Sequence, residues 1–132
     1  MNIDNRTITY EGYKVTVTVA DAEMGMYRTL LIEQAQAEED EAEKTAPRSE
    51  TNLKGFAKRL LHTILYPSLI AAVVDHEGFE IWPVPFTVFA KLPEPLVIEW
   101  ETAVFDLNKH WQPKNPDTTE EAQKKVTPTI SE

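Results

Sequence analysis

Cysteine is absent from the 132-residue chain. Its absence excludes disulfides, thiolate catalysis and cysteine-ligated zinc, and fits a reducing compartment. Glycine is scarce: four residues, each isolated, so no glycine-rich loop exists to cradle a phosphate. Long apolar runs are missing too. The longest, Leu69 to Val74, falls far short of the roughly 20 residues of a membrane helix. The opening MNIDNRTITY has neither the basic region nor the apolar core of a signal peptide. Basic charge is in deficit, with 13 Lys and Arg against 22 Asp and Glu and a net charge of -9. Nucleic-acid binders neutralise phosphates with the residues this chain lacks. Lys54, Lys58 and Arg59 cluster, but three bases on one helix read as a solvated face. The expectation is a soluble cytoplasmic protein with no nucleic-acid partner, no membrane partner and no cofactor.

What is present suffices for one folded domain. Apolar residues make up 42% of the chain, enough for one modest core at this length. From Thr7 to Val19, TITYEGYKVTVTV alternates with period two about Glu11-Gly12. That predicts a β-hairpin with Ile8, Tyr10, Tyr13, Val15, Val17 and Val19 on its apolar face. An isolated hairpin is marginal in water. The face therefore packs on the helices or on another copy, which makes Tyr13, Val15, Val17 and Val19 candidate self-association residues.

Asp21 reads as the N-cap of a helix carrying Met24, Tyr27, Leu30, Leu31 and Ala35 at helical spacing. Between Glu33 and Glu43 that helix holds six acids and no base, which reads as a solvent-exposed extension. Residues 45–51, with Pro47, break it. A second helix begins near Asn52. Leu53, Phe56, Ala57, Leu60, Leu61 and Ile64 form the most regular amphipathic pattern in the chain, opposite Lys54, Lys58, Arg59 and His62. Tyr66-Pro67 ends or kinks it, and Pro67 opens a short buried helix to Val74. Asp75 to Gly78 reads as a turn, and Phe79 to Pro85 as an extended, proline-interrupted segment. A short helix from Phe86 to Lys91 follows. The last helix starts near Pro93, buries Leu96, Val97, Trp100, Ala103, Val104 and Leu107, and ends near Asn108. From Gln112 onward three prolines, four acids, three lysines and no aromatic residue predict a polar tail without fixed structure. The fold class is mainly α with an N-terminal β-hairpin (α+β), laid out as hairpin 1–20, helical body 21–111 and tail 112–132.

No constellation for chemistry stands out. Ser49, Ser68 and Ser131 lack a nucleophile-elbow setting, and His62, His76 and His110 are the only imidazoles. Asp75-His76-Glu77 is the one conceivable metal cluster, but adjacent turn residues seldom converge on an ion. The remaining signal is aromatic: Phe79, Trp82, Phe86, Phe89, Trp100, Phe105 and Trp111 lie within 33 residues. A small domain can scarcely bury them all, and surplus rings mark protein interfaces. Trp82, Phe86, Phe89, Trp100 and Trp111 are therefore candidate partner-binding residues, with core packing as the plainer reading.

The layout resembles the tail assembly chaperones of long-tailed bacteriophages. The likeness covers residues 5 to 111. It rests on the hairpin TITYEGYKVTVTV, the polar helix after it, and the stretch YPSLIAAVVDHEGFEIWP with FAKLPEPLVIEWETAVFDLNKHW. Within these, Tyr66-Pro67, Leu92-Pro93-Glu94, Trp100, Leu107-Asn108 and His110-Trp111 carry it; Lys109 stands where that closing motif has proline. The resemblance implies a non-enzymatic chaperone that coats the tape measure protein, recruits tail tube subunits, self-associates and leaves no copy in the finished virion. It also implies a longer frameshifted form, for which Lys124-Lys125 could supply the slippery codons. Two other classes compete: a structural tail-completion or connector protein, found in particles, and a small metalloenzyme using the Asp75–Glu77 segment.

Overall fold

A computed structural model describes residues 4–45 and 53–113. Apart from Thr45, which ends a helix, the expected break at 45–51, nearly all of the polar tail and Lys124-Lys125 lie outside those residues.

Strands β1 (Asn5–Tyr10) and β2 (Tyr13–Thr18) form the expected hairpin, with Ile8 opposite Val15 and Tyr10 opposite Tyr13. Its two-residue turn needs two left-handed residues, and Glu11 (φ 42°) and Gly12 (φ 93°) supply them. A third strand, β3 (Val73–Glu77), pairs antiparallel with β2, giving the order β1-β2-β3. This corrects the turn expected over Asp75–Gly78. The polar Asp-His-Glu run reads as a turn, yet it suits an edge strand. Opposite Lys14, Thr16 and Val15 it places Glu77, Asp75 and His76. Gly78 turns the chain away at φ 94°, so close to the Gly12 carbonyl that any side chain would collide with it.

Helix α1 (Ala22–Thr45) starts at the expected cap: the Met24 N–H donates to Asp21 Oδ1 at 2.9 Å. Helix α2 (Leu53–Leu60) runs through a wide π-type turn, Leu61–Leu65, into α3 (Tyr66–Ala71). The π turn explains how the rod survives Pro67. A proline removes one N–H and crowds the carbonyl one turn earlier. Widening that turn lets the Tyr66 N–H donate to Leu61 O, five residues back. The Thr63 hydroxyl donates to Arg59 O at 2.8 Å. After β3 and a bent segment come α4 (Phe86–Phe89), α5 (Glu94–Leu107) and a single 3-10 turn, Lys109–Trp111.

The inner face of the sheet and helices α3 and α5 enclose one core. Val15, Val17, Leu69, Leu96, Trp100 and Val104 are fully buried there. The outer sheet face is polar, with the Thr7 and Thr16 hydroxyls 2.9 Å apart. Hairpin and helical body thus share a core and form one packed unit. Val19, expected on the apolar face, is half-exposed, and Thr18 is buried. The β2–β3 pairing carries a bulge opposite Thr16 and Val17, with Val74 as the extra residue on β3.

Two buried polar contacts lock the elements together. Trp100 Nε1 donates to Leu69 O at 3.1 Å, satisfying a carbonyl in the last turn of α3. Asn108, at the end of α5, is completely buried. Its Nδ2 donates to Thr18 O and Val104 O, both at 3.1 Å, and its Oδ1 accepts from the Ala20 N–H at 2.8 Å. One amide therefore ties α5 to the exit of the hairpin. Among the described residues no helix is long and apolar enough to cross a membrane.

Candidate interaction surface

The second half of α1 and the C-terminal end of α2 meet through side chains, and together these helices form an arm. Neither contributes to the core: α2 has no buried residue, and beyond Ala35 only Glu39 of α1 is buried. Ion pairs join the two helices. Lys58 Nζ and His62 Nδ1 both donate to Glu39 Oε2, at 3.0 and 2.7 Å. Arg59 donates to Asp40 at 2.9 Å and Glu43 at 3.2 Å. His62 Nε2 lies 3.3 Å from Glu38 Oε1. The acidic extension is exposed as expected, apart from Ala35 and Glu39, but several of its acids are also paired. Its carboxylates neutralise bases that follow 16 to 23 residues later.

Glu39 is the keystone, only 6% exposed. Burial alone would raise its pKa; the hydrogen bonds from His62 and Lys58 outweigh that and hold it below the ordinary value. Arg59 is held above its usual value chiefly by its hydrogen bond to Asp40. His62 is itself buried, stacked on Phe86 at 4.0 Å between ring centroids with planes 9° apart.

This pairing fixes which way α2 faces. At 100° per residue, Lys58, Arg59 and His62 occupy one side of the helix, and Leu53, Phe56, Ala57, Leu60 and Ile64 the other. The polar side is turned to α1, so the apolar side is turned outward. Leu53 is 84% exposed, Phe56 59% and Leu60 39%. Ordinary amphipathic helices pack the other way round. A second exposed apolar cluster lies on α1: Met26, Tyr27 and Leu30.

The residues singled out from the sequence divide into two groups. Phe89, Trp100 and Trp111 are sealed in the core and offer no surface as folded. Trp111 packs beneath the Arg28 guanidinium, 4.8 Å from the ring centroid. Arg28 also donates from Nε to Ser68 Oγ at 2.7 Å, and burial lowers its pKa. Trp82 and Phe86 are half-buried: Trp82 stacks on His76 at 4.1 Å, as Phe86 does on His62. In the hairpin, Val15 and Val17 are fully buried inside the same chain, Tyr13 packs on Phe79 at 5.1 Å, and Val19 remains half-exposed. The Asp75-His76-Glu77 segment does not gather into a cluster, because alternation on β3 sends His76 to the face opposite Asp75 and Glu77. Leu53, Phe56 and Leu60 were legible as a stripe, but nothing in the sequence marked the stripe as outward-facing.

No family model, curated protein or solved structure matches this chain.

Acid should loosen the arm first. Glu39 has a depressed folded pKa, so its contribution is present above the ordinary carboxylate value of 4.5 and is lost as pH falls through the folded value. Protection factors of the α2 backbone amides, corrected for the intrinsic rate at each pH, should fall below about pH 4.5 while those of α5 hold. In a Glu39→Gln variant that loss of protection should already be present at neutral pH, at a cost of about 2 kcal/mol to the arm.

Proposed function

We propose that this protein is a tail assembly chaperone of a long-tailed bacteriophage. It binds and solubilises the tape measure protein in the host cytoplasm, helps recruit tail tube subunits, and is left out of the mature virion. The observation that carries the reading is the outward stripe Leu53, Phe56 and Leu60 on α2, held by ion pairs on an acidic molecule. Apolar residues at i, i+3 and i+7 suit a client helix laid along them. The net charge of -9 keeps such a surface soluble. The client chemistry is the apolar stripe of a long helical chain. Phe86, half-buried and stacked on His62, adds aromatic surface at the base of the arm.

Co-expression with fragments of the phage's tape measure protein tests this. Wild-type protein should keep a fragment soluble and co-purify with it. A Leu53→Glu/Phe56→Glu variant should fold normally and lose the fragment. Empty pull-downs from folded wild-type protein would exclude the reading, as would stoichiometric presence of the chain in purified virions.

A further inference from the structure

One edge of the sheet runs beside an open groove. In the order β1-β2-β3, β1 has a single neighbour, and among the described residues no other strand pairs with its outer edge. The two-residue turn makes Tyr10 and Tyr13 a hydrogen-bonded pair. By alternation Ile8 and Arg6 also bond towards β2, so the N–H and C=O groups of Thr7 and Thr9 point away from the sheet. The far side of β2 agrees: the Thr18 N–H donates to Ala72 O, in line with the even-numbered residues of β2 facing β3. Next to the free edge, β1 and α5 frame a groove of about 290 Å³ lined by Arg6, Thr7, Ile8, Ile98, Thr102 and Ala103. Ile98 stands half-exposed in it. Arg6 and Asp106 close one end with a 3.2 Å ion pair. Glu99 lines the groove one turn of α5 before Ala103, on the side of the Glu11-Gly12 turn. An open strand edge beside an apolar groove accepts an extended chain as a further strand. The ladder gives affinity, and the groove takes every second side chain.

We propose that this groove is a strand-binding site and that its occupant is the chain's own segment Val126–Ile130. Residues 114–132 follow the last described residue, Pro113. Most are polar or proline, but Val126-Thr127-Pro128-Thr129-Ile130 has four β-branched residues in five. Its alternation fits the edge. Set antiparallel to β1, with Thr127 opposite Thr9 and Thr129 opposite Thr7, it turns Val126, Pro128 and Ile130 to the groove side with Ile8. Thr127 and Thr129 join the outer face, where the Thr7 and Thr16 hydroxyls already meet. Pro128 then turns its nitrogen, which has no proton to donate, to solvent, where a sheet tolerates proline. The same register brings Lys124 and Lys125 towards Glu11 and Glu99. The tether suffices. Asn108, ending α5, donates to Thr18 O, and Thr18 pairs with Asn5, so the helix end that the tail follows lies at the start of β1. From there α5 runs back about 21 Å, and residues 114–125 can span roughly 40 Å. Such a tether keeps the segment at an effective concentration on the order of millimolar, so a weak contact stays closed. Filled, the groove covers Ile98 and ends an edge that would otherwise pair with any extended chain. The inference is independent of the chaperone reading.

Amide exchange in the full chain reads the edge directly. The Thr7 and Thr9 amides should be protected in wild-type protein. In a Val126→Asp/Ile130→Asp variant their protection should fall about ten-fold, while unchanged protection of α5 shows the fold intact. A synthetic peptide of residues 124–132 added to that variant should restore the protection, and should not bind wild-type protein, whose groove is filled. Cross-linking tests the register. Thr9→Cys/Thr127→Cys should close into an intramolecular disulfide in dilute protein, because paired Cα atoms about 5.5 Å apart suit that bond. Glu77→Cys/Thr127→Cys, on the opposite edge of the sheet, should stay reduced. Free exchange of Thr7 and Thr9 in wild-type protein would overturn the proposal, as would protection that survives in the variant. A disulfide between positions 9 and 127 that forms only between chains would put a second copy in the groove and overturn it equally.

Discussion

Replacing Trp100 by alanine should cost the fold about 4 to 5 kcal/mol, the largest loss expected from any single substitution here. The indole is completely buried and lies 5.6 Å from the Phe89 ring and 6.1 Å from Phe79. Removing it opens a cavity where α5, α3 and the sheet meet, and strips Leu69 O of its donor. Domains of this size hold only about 5 to 15 kcal/mol in all. The variant should therefore show a denaturation midpoint much lower than wild type in urea, with little change in slope. Trp100→Phe separates the two parts. It keeps most of the apolar volume and loses the hydrogen bond, so about 1 to 2 kcal/mol should go.

Asn108→Ala should cost about 3 kcal/mol, more than its small side chain suggests. The amide makes three hydrogen bonds inside the protein. Alanine would leave the Ala20 N–H and Thr18 C=O buried or half-buried without partners, at about 1 to 3 kcal/mol each. Asn108→Asp should fare little better. The carboxylate could still accept from Ala20, but it cannot donate to Thr18 O and would bury a charge. Hydrogen exchange should show the hairpin opening earlier than α3 in both variants, because Asn108 holds the β2 exit to α5.

Local signals in the sequence were sufficient where the structure is local. Alternation about Glu11-Gly12 located the hairpin. Asp21 marked a helix start that its side chain does cap. The spacing of Leu96, Trp100, Ala103 and Val104 identified the buried stripe of α5. Strand β3 was not legible, because its partner β2 lies some 60 residues earlier and its own residues favour a turn. The acidic half of α1 is exposed as its composition suggests, but its pairing was not legible: Glu39, Asp40 and Glu43 meet their bases only when α2 folds back. Of the aromatic residues named as partner-binding candidates, Phe89, Trp100 and Trp111 take the plainer reading and fit inside the core. A helical wheel shows that α2 has two faces. Which face meets the body depends on Glu39, Asp40 and Glu43, residues on another helix.

The exposed stripe can be measured directly, because the chain has no cysteine of its own. Single cysteines at Leu53, Phe56 and Leu60, with Leu69→Cys as a buried control, can be titrated with a thiol reagent in dilute, folded protein. The three α2 positions should react at rates near those of an unstructured peptide, in the order 53, 56, 60, while position 69 reacts only on unfolding. Protection of positions 53 and 56 as strong as that at 69, in a monomer, would mean that α2 turns its apolar side inward, and would contradict the account at its root.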